Sequence, residues 1–198
     1  MMENKGGIPM SVLITGFAPF DGADINPSWE AVRLVPASIA GQEVHRLMLP
    51  VEYARAAMLL KEEIARVQPK VVICCGLASG RKAITPELVA INYRWARIPD
   101  NAGRLCQGEA ITSDGPAAYM TRLPVHTMIS AMQEAGLPAA LSLSAGAYVC
   151  NDVYYALLAC EEELGHRGLF LHVPGTEVVP FEDCARALTL CLETALTE

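Results

Sequence analysis

Short apolar runs alternate with stretches of helical period along almost the whole chain. Val71-Val72-Ile73-Cys74-Cys75 is continuously apolar, the pattern of a strand covered on both faces. Met10 to Thr15 and Leu169-Phe170-Leu171-His172-Val173 read the same way, Val44 to Leu49 more weakly, and Leu88 to Tyr93 as a further strand. Between them, Tyr53 to Val67 sets Ala56, Leu59, Leu60, Ile64 and Val67 on one helical face and Lys61, Glu62 and Arg66 on the other. Asn26-Pro27 opens an earlier helix, with Asn26 as N-cap, Pro27 at the first helical position and Trp29, Val32 and Val35 as the apolar stripe. A helix from about Val125 to Ala135 stops at Gly136, a good C-cap, and Phe181 to Thr194 forms the closing helix. This alternation predicts an α/β fold: a single-domain α/β/α sandwich around a mostly parallel, twisted central sheet. Arg94 to Glu109 fits neither period and predicts a long irregular segment, a kind often functional in compact domains.

The stretch Leu141 to Asn151 organises the rest. It begins apolar, as a buried strand would, and turns through Ser144, Ala145 and Gly146. After Cys150 it becomes helical, with Val153, Tyr154, Leu157, Leu158 and Glu161 spaced by three and four and an end near Gly165. Cys150 therefore falls in the first turn of a helix fed by a strand. Free N–H groups and the positive dipole end there favour a thiolate, the attacking form of a cysteine nucleophile. Free cysteine is also among the most buried residue types, so position alone leaves a packing role open.

Composition narrows the class. At 198 residues the chain is long enough for one substantial core. The hydrophobic share of 52% and charged share of 19% point to a large core or a buried subunit contact rather than disorder. A net charge of -7 with no Lys/Arg-rich segment argues against a nucleic-acid partner. No run approaches the ~20 apolar residues of a membrane span. Met1 to Pro9 lacks an apolar signal region and is expected to be a disordered start before one domain over residues 10–198, so a cytoplasmic location is expected. Seven cysteines with no Cys-x-x-Cys pair speak against a zinc site or a redox pair, and the thiols are expected to be free.

A cysteine nucleophile needs a base, usually His, and a group that orients it. Of four histidines, His45, His126 and His166 read as surface or capping residues. His172 closes an apolar strand just before Pro174, an edge that could also hold Cys150; a satisfied, partly buried imidazole is the plainer reading. Glu87 directly precedes an apolar strand and is the natural orienter; a solvated charge is the plainer alternative. Arg97 is a candidate donor to an oxyanion or a loop-ordering residue, with a surface arginine as the plainer reading. Gly16 to Gly22 carries Phe17 and Phe20, which either plug the core or line a small apolar pocket at the carboxyl end of the first strand. Gly76 to Glu87 lacks the glycine spacing of a phosphate loop, and no Gly-x-Ser-x-Gly elbow is present.

Taken together, these stretches resemble the pyroglutamyl peptidase I family of cysteine exopeptidases, over Val12 to about Pro174. The motifs are Thr15 to Phe20, Asn26 to Val32, Gly80-Arg81 with Ile84 to Glu87, Val89 to Asn92, Ala96 to Asn101, Ala145-Gly146 with Val149-Cys150-Asn151, and His172-Val173-Pro174. The resemblance implies Cys150 as nucleophile, His172 as base and Glu87 as the carboxylate that orients it. It implies Phe17 and Phe20 against the pyroglutamyl ring, Tyr148, Val149 and Ile98 helping to line that pocket, and Arg97 near the active site. The implied activity is removal of N-terminal 5-oxoproline from peptides through an acyl-enzyme, without metal or cofactor, on a single domain commonly assembled as a homotetramer.

Several positions depart from that pattern. Ser144 and Ala147 stand where threonine is frequent, Leu77 where some members have glutamine, and Asp152 where histidine is common. Gly175-Thr176-Glu177 replaces an aromatic and proline-rich run. These changes bear on the leaving-group side and on lactam binding. Two competing readings follow: a non-catalytic lactam binder on the same scaffold, disfavoured because all three of Cys150, His172 and Glu87 are retained, and a cysteine hydrolase of another small amide.

Overall fold

The computed structural model describes residues 11–197. The expected disordered start, residues 1–9, lies outside them. In chain order the elements are β1 (Ser11–Phe17), α1 (Pro27–Leu34), β2 (Ser38–Ile39), β3 (Gln42–Leu49), α2 (Arg55–Val67), β4 (Val71–Leu77), β5 (Thr85–Pro86), β6 (Val89–Ile91), β7 (Arg94–Trp95), β8 (Gln107–Glu109), β9 (Ala118–Met120), α3 (Val125–Glu134), α4 (Val149–Ala159), α5 (Glu161–Leu164), β10 (Arg167–Val173) and α6 (Phe181–Thr197).

The main sheet has the order β2-β3-β1-β4-β10-β5. β3, β1, β4 and β10 run parallel, and the short edges β2 and β5 run antiparallel. The continuously apolar strands are the central ones. Their alternate side chains feed two cores, as the period of two requires. Val12, Ile14, Ile73, Cys75, Leu169 and Leu171 pack under α1, α3 and α6. Leu13, Val72, Cys74 and Phe170 pack under α2 and α4. The result is the expected α/β/α sandwich. Cys184 and Cys191 are both buried on the inner face of α6.

Four expectations are corrected. The run Leu141 to Ser144 is not a buried strand. It is an extended outer edge bridged to the β5 region at Glu87↔Ser142, with Ile84↔Ala139 just before the run, and Leu143 is 64% exposed. The reason is positional: β10 takes the place beside β4, so this segment can pair only beyond β5. The Leu88 to Tyr93 strand shortens to β6 and pairs with β9 outside the main sheet. Arg94 to Glu109 is less irregular than its sequence reads, because its ends pair as β7 and β8. His166 also differs from its expected surface setting: it is buried, with Nε2 3.2 Å from the Leu157 carbonyl.

Candidate active site

The site lies at the carboxyl ends of β1, β4 and β10, where open α/β sheets place ligands. β10 holds Phe170 and His172 on one face, two residues apart, and their rings stack obliquely with centroids 4.7 Å apart. In the β10·β4 ladder His172 pairs with Gly76. α4 begins above that glycine. A Cβ added at Gly76 would lie 2.7 Å from Cζ of Phe170 and 3.0 Å from Sγ of Cys150. Glycine is therefore what allows the helix start to sit this close to the sheet. It sets Cys150 over a backbone one strand spacing, ~4.8 Å, from that of His172.

Glu87 follows β5 and is held through its backbone. Its N–H donates to the Phe170 carbonyl (2.9 Å), and the Tyr154 hydroxyl from α4 donates to its carbonyl (2.7 Å). Its side chain is 0% exposed, and Oε1 lies 2.7 Å from His172 Nδ1. Arg81 Nη1 contacts the same oxygen at 2.5 Å. The guanidinium also donates to Thr85 Oγ1 and, through Nη2, to the Ser144 carbonyl at 3.3 Å. Burial alone would raise the Glu87 pKa. The hydrogen bond and charge of His172, with Ser142 and Arg81, outweigh it and hold the carboxyl below its ordinary value. An ionised carboxylate only accepts, so Nδ1 of His172 carries the proton and Nε2 is left as the acceptor.

Burial keeps the His172 imidazole below its ordinary pKa, against the pull of Glu87 and with help from Arg81. Burial, with Glu87 and Cys74 adding to it, pushes the Cys150 thiol up to about 12. Arg81 and the backbone N–H of Cys150 oppose that rise without overcoming it. In the resting site, burial thus favours the neutral thiol and the neutral imidazole over their charged forms. Tyr148 at the N-cap of α4 supplies no side-chain cap. The first N–H groups of the helix, which lack intrahelical acceptors, are left for another oxygen.

Beside Cys150 is a small, mainly apolar cavity lined by Phe17, Phe20, Asn26, Val51, Leu77, Tyr148 and Val149. Its free space is about 40 Å³, room for no more than a few waters. The loop carrying the phenylalanines is tied down from several sides. Ser28 Oγ accepts from the Phe17 N–H (3.1 Å) and donates to Asn26 Oδ1 (2.9 Å). Asn26 Nδ2 donates to the Ala18 carbonyl and Asn101 Nδ2 to that of Pro19, each at 3.0 Å. The Tyr148 hydroxyl donates to the Pro99 carbonyl (3.0 Å), and its ring meets Tyr53 edge-on.

Phe17, Phe20, Tyr148, Val149 and Cys150 are thus together at one cavity, and His172 and Glu87 form one hydrogen-bonded pair. Arg97 and Ile98 are exposed in the loop before Asp100 and do not line the cavity. Sequence reasoning did not single out Gly76 or the Arg81 contact, although a glycine ending a buried run and an arginine six residues before a buried carboxylate were both in view. Asp152 is buried against Arg94 (2.6 Å) and accepts from the Ala54 N–H (2.7 Å), away from the thiol. Among the described residues no cluster of His, Cys, Asp and Glu could hold a metal ion, and no helix is long and apolar enough to cross a membrane.

Residues 10–198 match the family profile described as pyroglutamyl peptidase. A pyrrolidone-carboxylate peptidase of Chromobacterium violaceum is 42% identical, over 94% of this chain and 93% of its own. One from Bacillus velezensis is 42% identical over 92% of this chain and 86% of its own. Among solved structures, pyroglutamyl peptidase I of Bacillus amyloliquefaciens superposes with a TM-score of 0.90 at 38% identity, covering 96% of this chain and 98% of that one. The pyrrolidone carboxyl peptidase of Thermococcus litoralis gives 0.91 at 34%, covering 95% and 94%.

Proposed function

Since this chain belongs to the pyroglutamyl peptidase family, cysteine peptidases that remove N-terminal pyroglutamate from peptides, we propose that Cys150, His172 and Glu87 perform that reaction here. The observation that carries the assignment is the 2.7 Å His172–Glu87 hydrogen bond, one strand spacing from the glycine under Cys150. His172 Nε2 takes the thiol proton as Sγ attacks the carbonyl that joins pyroglutamate to the next residue. Because thiol and imidazole rest neutral, proton transfer accompanies attack, and Glu87 stabilises the imidazolium as it forms. The oxyanion faces the N–H of Cys150 at the start of α4, where fixed donors need no reorganisation. His172 then protonates the departing amine, and a water activated by the same nitrogen releases pyroglutamate.

The lactam is uncharged, which suits a cavity of phenylalanine, leucine and valine. Phe20 and Tyr148, both only partly buried, form the walls of that cavity nearest solvent, where the ring would enter. Arg97 and Ile98 reach the substrate only if their loop closes over it, and we assign them to the mouth of the pocket. We further propose a homotetramer in the cytoplasm, for whose subunit contacts the exposed Trp95, Leu105, Met120 and Leu143 would offer apolar surface.

The test is release of a fluorescent amine from its pyroglutamyl amide by wild type and by Cys150→Ser, alongside a panel of aminoacyl amides. Turnover of the pyroglutamyl amide alone, lost in Cys150→Ser, is expected. Turnover that survives the substitution would overturn the nucleophile, and preference for another amide would favour a different small-amide hydrolase. Light scattering on the eluted protein reads the assembly; a monomer mass would overturn the tetramer.

A further inference from the structure

Arg81 is the least explained charged group near the site. Its side chain is only 27% exposed, and its contacts converge. Nη1 meets Oε1 of Glu87, the very oxygen that accepts from His172. The same nitrogen reaches Thr85 Oγ1. Thr85 pairs with His172 in the β10·β5 ladder, and its hydroxyl lies 3.4 Å from the His172 carbonyl. Nη2 donates to the Ser144 carbonyl, in the turn that runs on to Cys150. One planar fork therefore touches the neighbour of the base, the carboxylate that orients it and the turn leading to the nucleophile. A lysine would supply the charge but not the fork.

We propose that Arg81 is a positioning residue for catalysis: it fixes the Glu87 carboxylate on His172 and locks that pair to the Ser144 turn ahead of Cys150. The inference rests on the assignment of Cys150, His172 and Glu87 made above. Its electrostatic side is consistent. The titratable groups facing Glu87 are His172 from β10, Cys150 and Tyr154 from α4, and Arg81 itself. Arg81 is the permanent cation among them. It keeps a buried carboxylate ionised while the imidazole is neutral, and it lowers the pKa values of His172 and Cys150 as well. Removing it raises all three. Each of those changes delays the active protonation state to higher pH.

The experiment compares pH profiles of kcat/KM for wild type, R81Q, R81K and E87Q on a pyroglutamyl amide, with melting curves for each. R81Q is expected to lose at least ~10-fold in kcat with KM changed less than ~2-fold, and its acid limb moves to higher pH. R81K is expected to keep the wild-type acid limb, with kcat several-fold below wild type because the tie to Ser144 is gone. A lower melting temperature with a wild-type kcat and acid limb in R81Q would make Arg81 merely structural and overturn the proposal. Should R81Q not fold, R81K decides alone: a wild-type kcat there overturns it. E87Q separates the two levels, since an active E87Q sinks the triad itself, whereas an inactive E87Q beside a wild-type-like R81Q sinks only the role of Arg81.

Discussion

Gly76→Ala is the sharpest test of how Cys150, the proposed nucleophile, is seated. The new methyl would stand 2.7 and 2.8 Å from two ring carbons of Phe170 and 3.0 Å from Sγ of Cys150, well inside the ~3.5–4.0 Å of good carbon contacts. Phe170 cannot yield, because its ring is fully buried between those of Phe17, Tyr154 and His172. Overpacking of this kind costs about 1–3 kcal/mol. For a domain of this size each kcal/mol lowers Tm by about 2–4 °C, so a fall of roughly 2–12 °C is expected. Activity should fall further than stability explains. The cheapest relief moves Cys150 away from the sheet, and a displacement of ~1 Å can cost ~100-fold in rate. The assay is kcat/KM measured far below Tm, beside a thermal melt. Gly80→Ala is the control, since a Cβ there meets nothing within 4 Å. Wild-type activity and an unchanged Tm in Gly76→Ala would refute the close seating of Cys150 on β4.

Three further outcomes are expected. Alkylation of the native protein should add one group per chain, at Cys150, because the other six cysteines are buried. Its rate should climb without a plateau from about pH 6 to about pH 9, since the thiol is pushed up to about 12; a plateau near neutrality would show a resting thiolate instead. Burial holds the pKa of His166 below its free value of 6.5, so on acidification the unfolded chain takes the proton first. Stability is therefore full above about pH 6.5 and is lost as pH falls through the lowered native value. The acid-side drop in Tm should shrink in His166→Gln, and an unchanged drop would exclude this histidine as its source. Asn151→Ala removes bonds to the Ile91 N–H (3.0 Å), the Ile91 carbonyl (2.8 Å) and the Tyr93 carbonyl (3.1 Å). It should cost roughly 1–3 kcal/mol in urea unfolding, and a change below ~0.5 kcal/mol would mean that water replaces the amide.

What the sequence revealed and what it hid divide along physical lines. The central strands were legible because burial on both faces leaves an uninterrupted apolar run, as in Val71 to Cys75. The Asn26-Pro27 start was legible because a helix N-terminus is a local problem with a local solution: the Asn26 side chain accepts from the Ser28 N–H at 3.1 Å. Leu141 to Ser144 misled because its apolar residues suggested burial, whereas their strict alternation with serine is the mark of a half-exposed edge. The site divides the same way. The candidate nucleophile was visible as a cysteine in the first turn of a helix after a small-residue turn, but Gly76 and Arg81 act through residues 74 and 6 positions away, and no local period records that. The competition between dipole and burial at Cys150 was equally hidden, because burial depends on what the rest of the chain stacks around the helix start.

The sheet order has a consequence for how the protein is made. β10 is the last strand to be synthesised, yet it sits between β4 and β5 rather than at an edge. Until it emerges, β4 presents an open, strongly apolar flank, the kind of surface that recruits foreign strands. Nearly a hundred residues separate the starts of β4 and β10, which at ~5–20 residues per second leaves that flank unguarded for roughly 5–20 s. The nascent chain therefore passes through a stage when holdase chaperones matter most, and the His172–Glu87 pair cannot exist before β10 has emerged from the ribosome.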